Sequence, residues 1–91
     1  AGSVVTISSN ITADEKVATY LCDTSSGGIS ISLPTNPTVG KVWNFKKIAV
    51  NNTIQIRVNA PSSIDGQLVK NITGLNNSYT LQFDGATYKI I

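Results

Sequence analysis

Residues 29–34 read ISISLP, and their alternation is without error. Ile29, Ile31 and Leu33 share one side of an extended chain, while Ser30 and Ser32 share the other. Successive side chains of a strand point to opposite faces, so this order describes a strand with one buried face and one wet face. Pro34 ends it, because proline has no N–H to give to a ladder. The preceding TSSGG (24–28) is a turn.

The same two-residue period spreads in both directions. Upstream, Val17–Asp23 reads as a strand with Ala18, Tyr20 and Cys22 on one side and Val17, Thr19 and Leu21 on the other, both sides partly covered. Ser3–Asn10 is a first strand with Val5 and Ile7 on one face. Between them, Ile11–Lys16 reads as a polar connection in which Thr12 and Glu15 have capping-box spacing, enough for a single helical turn. Downstream, Lys41–Val50 places Trp43 and Phe45 in phase, slips at Lys46–Lys47 and recovers at Ile48 and Val50, which predicts a β-bulge. Thr53–Asn59 alternates through Ile54, Ile56 and Val58. Asp65–Gly66 is a turn, and Leu68–Asn77 is a short strand and a loop. Ser78–Gly85 turns Tyr79, Leu81 and Phe83 inward, and FDGATYKII (83–91) closes the chain as a hairpin through Asp84–Gly85.

No segment keeps a helical period, and turn signals recur at roughly eight- to twelve-residue intervals. The expectation is one all-β domain over residues 1–91, a small antiparallel β-sandwich or β-prism, with no internal repeat. Composition agrees: Ile, Val and Thr make up 29 of the 91 residues. Charged residues are only 13%, and the polar surface falls to 10 Ser, 10 Thr and 9 Asn, as suits an extracellular or virion-surface protein or a lectin-like module. The AGS start suggests an expression scar, and the lack of any methionine suggests a fragment of something longer.

Size and composition narrow the function classes. A chain this short buries only roughly 60–65% of its unfolded surface and commonly leans on disulfides, metals or association. Cys22 is the one cysteine and there is no histidine, which leaves association as the expected support. A net charge of +2 on scattered basic residues is too weak for a nucleic-acid footprint, and no apolar run is long enough to span a membrane.

Chemistry is sparse. Without histidine, a general base would have to be a carboxylate or a lysine. Asp65 and Asp84 precede glycines and Asp23 precedes Thr24, all turn positions, while Asp14–Glu15 lacks the spaced oxygens of a calcium loop. No catalytic, cofactor or metal residues are therefore assigned. Cys22 reads as a buried inert thiol and Lys46–Lys47 as a solvated bulge that discourages edge pairing. Trp43, Tyr79 and Tyr88 are the candidate glycan contacts, although Trp43 reads as core before it reads as a platform. The Asn-x-Ser/Thr triplets at Asn10, Asn51, Asn71 and Asn76 matter only on a glycosylating route.

Taken in order, YLCDTSSGGISISLP (20–34), GKVWNFKKI (40–48), IDG (64–66) and FDGATYKII (83–91) resemble a module of phage tail fibres and tailspikes, with relatives in surface fibres of large DNA viruses. The resemblance covers about residues 17–91. It implies a structural or receptor-binding, non-enzymatic module on the virion surface, packed as a homotrimer and meeting host polysaccharide, with no cofactor. It also implies that Leu33–Pro34, Asp65–Gly66 and Asp84–Gly85 are framework turns and that Tyr20, Phe45 and Phe83 are framework core. Tyr88 stands where the family usually has Trp, and Lys89 where another aromatic or apolar residue is common. The competing reading from the residues is a stand-alone carbohydrate-binding module.

Overall fold

The computed structural model describes residues 3–91. Among them are nine strands and no helix: β1 (Val4–Ile7), β2 (Ile11–Thr12), β3 (Thr19–Cys22), β4 (Ile29–Ser32), β5 (Val42–Lys47), β6 (Ile54–Arg57), β7 (Val69–Ile72), β8 (Ser78–Phe83) and β9 (Tyr88–Ile90). They form two sheets, ordered β1-β3-β5-β8-β9 and β2-β4-β6-β7. The chain is all-β, but its sheets are not antiparallel as expected. β1, β3 and β5 pair in parallel, as do β2, β4 and β6, and only β7, β8 and β9 join antiparallel.

Parallel neighbours cannot be joined by a tight hairpin and need a crossover. Here each crossover is a strand of the other sheet. The first six strands therefore wind as three coils, β1–β2, β3–β4 and β5–β6, stacked strand on strand. This is an internal repeat, where none was expected. Its mark is a polar-Ile-polar triplet: NIT at 10–12, SIS at 30–32 and QIR at 55–57. The three central isoleucines, Ile11, Ile31 and Ile56, are register partners, and the residues beside them face outward. Ile29, Ile54 and Ile72 form a second such row.

Residues from both sheets build a single core that includes Tyr20, Cys22, Ile31, Trp43, Phe45, Ile56, Leu81, Phe83 and Tyr88. Tyr20 and Phe45, partners across β3 and β5, stack with centroids 5.7 Å apart and ring planes within 4° of parallel. Tyr88 packs against Phe83 at 5.1 Å and Trp43 at 6.2 Å. The polar tips of these rings tie down loops. Trp43 Nε1 donates to the Asp14 carbonyl, the Tyr20 hydroxyl accepts from the Asp14 amide, and the Tyr88 hydroxyl donates to the Pro34 carbonyl. Buried Tyr and Trp almost always find such partners.

Three local expectations need correcting. Ile11–Thr12 is a strand of the second sheet, where Ile11 completes the isoleucine row, and the chain then makes one hydrogen-bonded turn, Val17 N–H to the Asp14 carbonyl, without forming a helix. There is no bulge at Lys46–Lys47: β5 pairs continuously from Val42 to Lys46, and Lys47 is buried in phase with Trp43 and Phe45. Ile48 and Val50 do not return to the core but lie exposed beyond the strand end. The Asp65–Gly66 turn has the expected form, with φ of 48° and 86° closing the Ile64–Gln67 pair. At the terminal hairpin only Gly85 takes a positive φ, while the Asp84 carboxylate accepts from the amides of Ala86 and Thr87.

Cys22 is fully buried, and that burial pushes its thiol up to about 11 from an ordinary value of 9.0. The fold favours the neutral thiol, so this contribution to stability is complete below about pH 9 and is lost as pH climbs toward 11. Tyr88 is shifted the same way, by burial first and then by the charge of Glu15. Thermal melts should fall across this alkaline range, and Cys22→Ala should flatten the first part of the decline. A thiol reagent should label native Cys22 slowly and denatured Cys22 fast. Rapid labelling of the folded protein would show that the β3 side chain is not enclosed.

Candidate functional site

The three aromatic residues singled out as glycan contacts do not converge. Trp43 and Tyr88 are fully buried, each with its polar atom engaged by backbone, so neither offers a face to a sugar. The structure withdraws both from that role. Lys41 covers Trp43 further, with Nζ 5.2 Å from the ring centroid and donating to the Val17 carbonyl at 3.0 Å. Tyr79, the register partner of Phe45 at the start of β8, is half-buried. It lines a pocket of about 200 Å³ with Asn71, Thr73, Asn77 and Ser78.

The five carboxylates do not gather either. Each accepts a backbone N–H: Asp14 from Lys16, Glu15 from Thr38, Asp23 from Ser25, Asp65 from Ile90, and Asp84 from Ala86 and Thr87. Hydrogen bonds from the side chain and then the amide of Ser25 hold the Asp23 carboxyl below its ordinary value, those of Thr38 do the same for Glu15, and the amides of Thr87 and Ala86 do so for Asp84. Hydrogen bonds to the charged form act in that direction. All five carboxylates thus serve as acceptors within turns and loops. No group of three or more His, Cys, Asp or Glu among the described residues could hold a metal ion.

A second surface was not singled out from the sequence, the outer face of the β2-β4-β6-β7 sheet. The flanks of the polar-Ile-polar triplets line up across it. One row runs Thr12, Ser32, Arg57, and the other runs Ser30, Gln55, Asn71, with Asn10 leading into it. Asn10 Oδ1 accepts from the Ser30 amide at 2.8 Å, which extends the pairing of the two strands one residue before the start of β2. Arg57 is exposed, and its Nε and Nη2 both donate to Gln55 Oε1, at 3.2 and 3.0 Å. Depressions of about 340 and 450 Å³ meet at Ser32 and Arg57. The signal for this face was present in the triplets. It becomes visible only once the coils are known to stack, because residues 20 and 25 apart must be superposed.

No profile of a known protein family matches the chain, and no curated protein sequence matches it.

Proposed function

We propose that the chain is a structural and receptor-binding module of a viral attachment fibre, working as a homotrimer at the virion surface. The observation that carries this reading is the unequal finish of the two ends of the stack. At one end β7, β8 and β9 turn antiparallel and seal the core with Leu81, Phe83 and Tyr88. At the other, β1 and β2 are both edge strands, and the first coil is poorly covered. Val5, in register with Tyr20 and through it with Phe45, is 38% exposed where those partners are 4% and 0%. Ile7 and Ile11 are likewise only partly buried, and Val4 is exposed.

An open edge with apolar residues behind it is a template for another strand, and free-standing proteins usually blunt such edges with charge, proline or a bulge. None of these devices occurs between Ser3 and Thr12. In a fibre that edge meets a neighbouring coil or copy. A second apolar group, Ile48, Val50 and Leu75, lies beyond the far end of β5, where the Asn76 amide donates to the Lys47 carbonyl. Two unlike patches are what a closed heterologous ring requires. Within it each copy is a small sandwich, three of which complete a β-prism. The carboxylates, each engaged by backbone, support a module without catalysis.

The mass in solution tests this. Light scattering should give three times the chain mass, and the melting midpoint should fall over a hundredfold dilution. A monomer with a dilution-independent midpoint would give first place to a stand-alone carbohydrate-binding module, the reading favoured by the Tyr79 pocket.

A further inference from the structure

We infer that the outer face of the β2-β4-β6-β7 sheet binds a carboxylate-bearing oligosaccharide, with Arg57 as the anion contact. The face is polar throughout its two central rows. Thr12, Ser30 and Ser32 supply hydroxyls, Asn10, Gln55 and Asn71 supply amides, and the aliphatic exceptions, Val69 and Leu68, sit at the β7 edge. Strands 4.7–4.9 Å apart, with outward residues roughly 6.6 Å apart along each, place these groups on a regular grid. A chain of hydroxylated rings can meet such a grid with many hydrogen bonds at once.

Charge sets the ligand class. No carboxylate borders the two depressions that meet at Ser32 and Arg57, nor a third of about 440 Å³ beside Asn10, Ser30 and Gln55. The one ion pair among the described residues is Lys89–Asp84, at the terminal hairpin. Arg57 therefore carries a positive charge that no acid neutralises. Gln55 holds one side of its guanidinium, fixing the plane of the fork and leaving Nη1 directed away from that bond. A pre-oriented guanidinium favours planar carboxylate over a diffuse cation contact. Nucleic acid fits poorly, since one cation and no aromatic ring are too few for phosphate tracking and base stacking. Burial against a second copy fits poorly too, because it would desolvate a sheet of hydroxyls and amides.

The inference deepens the attachment reading and rests on it for the source of the saccharide. Binding to a soluble oligosaccharide is read independently of mass, so either can fail alone. The experiment is calorimetric titration of the full chain with oligogalacturonate, a neutral maltooligosaccharide and a sulfated oligosaccharide of equal length. Oligogalacturonate should bind best and weaken with added salt. Arg57→Gln should weaken it at least about tenfold, in keeping with a charged hydrogen bond. Arg57→Lys should fall between, and the melting midpoint of both variants should match the parent. Equal binding of neutral and acidic sugars, no binding of oligogalacturonate, or unchanged affinity in Arg57→Gln would each overturn the assignment. A change of oligomeric mass in Arg57→Gln would overturn it too, by making this face an interface between copies.

Discussion

Trp43→Ala should leave the domain largely unfolded at room temperature. Trp43 is the largest fully buried side chain and lies at the junction of three parts of the fold. Its ring meets Tyr88 of β9, its Nε1 anchors the Asp14 carbonyl in the β2–β3 loop, and Leu81 of β8 is its register partner. Truncating a buried Trp or Phe costs about 3–5 kcal/mol, as lost transfer energy and an unfilled cavity. Small domains hold only about 5–15 kcal/mol in all, and a short chain without disulfide sits toward the lower end. Trp43→Phe separates packing from anchoring. It keeps most of the volume but removes one of the two hydrogen bonds to the Asp14 carbonyl, which also accepts from the Val17 amide, and should cost about 1 kcal/mol. Urea melts followed by circular dichroism check both variants, since removing the only tryptophan removes its fluorescence. A loss below about 1 kcal/mol in Trp43→Ala would mean that this ring does not join β5 to β9 and to the β2–β3 loop.

Most of the inward-facing set was legible because a period of two assigns faces without reference to partners. Ile29, Ile31, Leu33, Ile54, Ile56, Val58, Leu81 and Phe83 are all buried as their alternation predicts. Pairing was not legible. A half-buried strand looks the same in parallel and antiparallel sheets, and the usual cue for parallel pairing, a helix between strands, is missing when the crossover is itself a strand. β2 was missed because two residues make no pattern: only stacking on Ile31 shows that Ile11 belongs to a sheet. Of the three aromatic candidates, Tyr88 was misread for a related reason. Sequence distinguishes core from platform only by neighbours in phase, and Tyr88 has just Ile90 beside it. At Lys47 the charge argued for water, while the alternation of Trp43 and Phe45 argued for the interior, and the alternation held.

Replacing Lys47 should separate what its chain does from what its charge does. Lys47 is fully buried at the end of β5, paired in register with Cys22, and its ammonium donates to the Ala49 carbonyl at 2.5 Å. No carboxylate pairs with it among the described residues. A lysine can bury its four-carbon stem along apolar surface while its head reaches a polar rim, and Ala49 is only half-buried. On that geometry the stem fills the end of the core and the ammonium is tolerated rather than needed. Lys47→Met keeps a similar length and removes a desolvated charge. The Ala49 carbonyl then turns to water, so the variant should stay within about 1 kcal/mol of the parent or exceed it. Lys47→Glu keeps a charge but reverses it, setting a buried carboxylate against the Ala49 carbonyl oxygen. An uncompensated buried charge costs about 3–5 kcal/mol, so this variant should be recovered unfolded or aggregated. Urea melts of the pair decide the matter. If Lys47→Met lost as much as Lys47→Glu, the ammonium itself would be holding the Ala49 turn, and the end of β5 would be a polar clamp instead of a packed aliphatic plug.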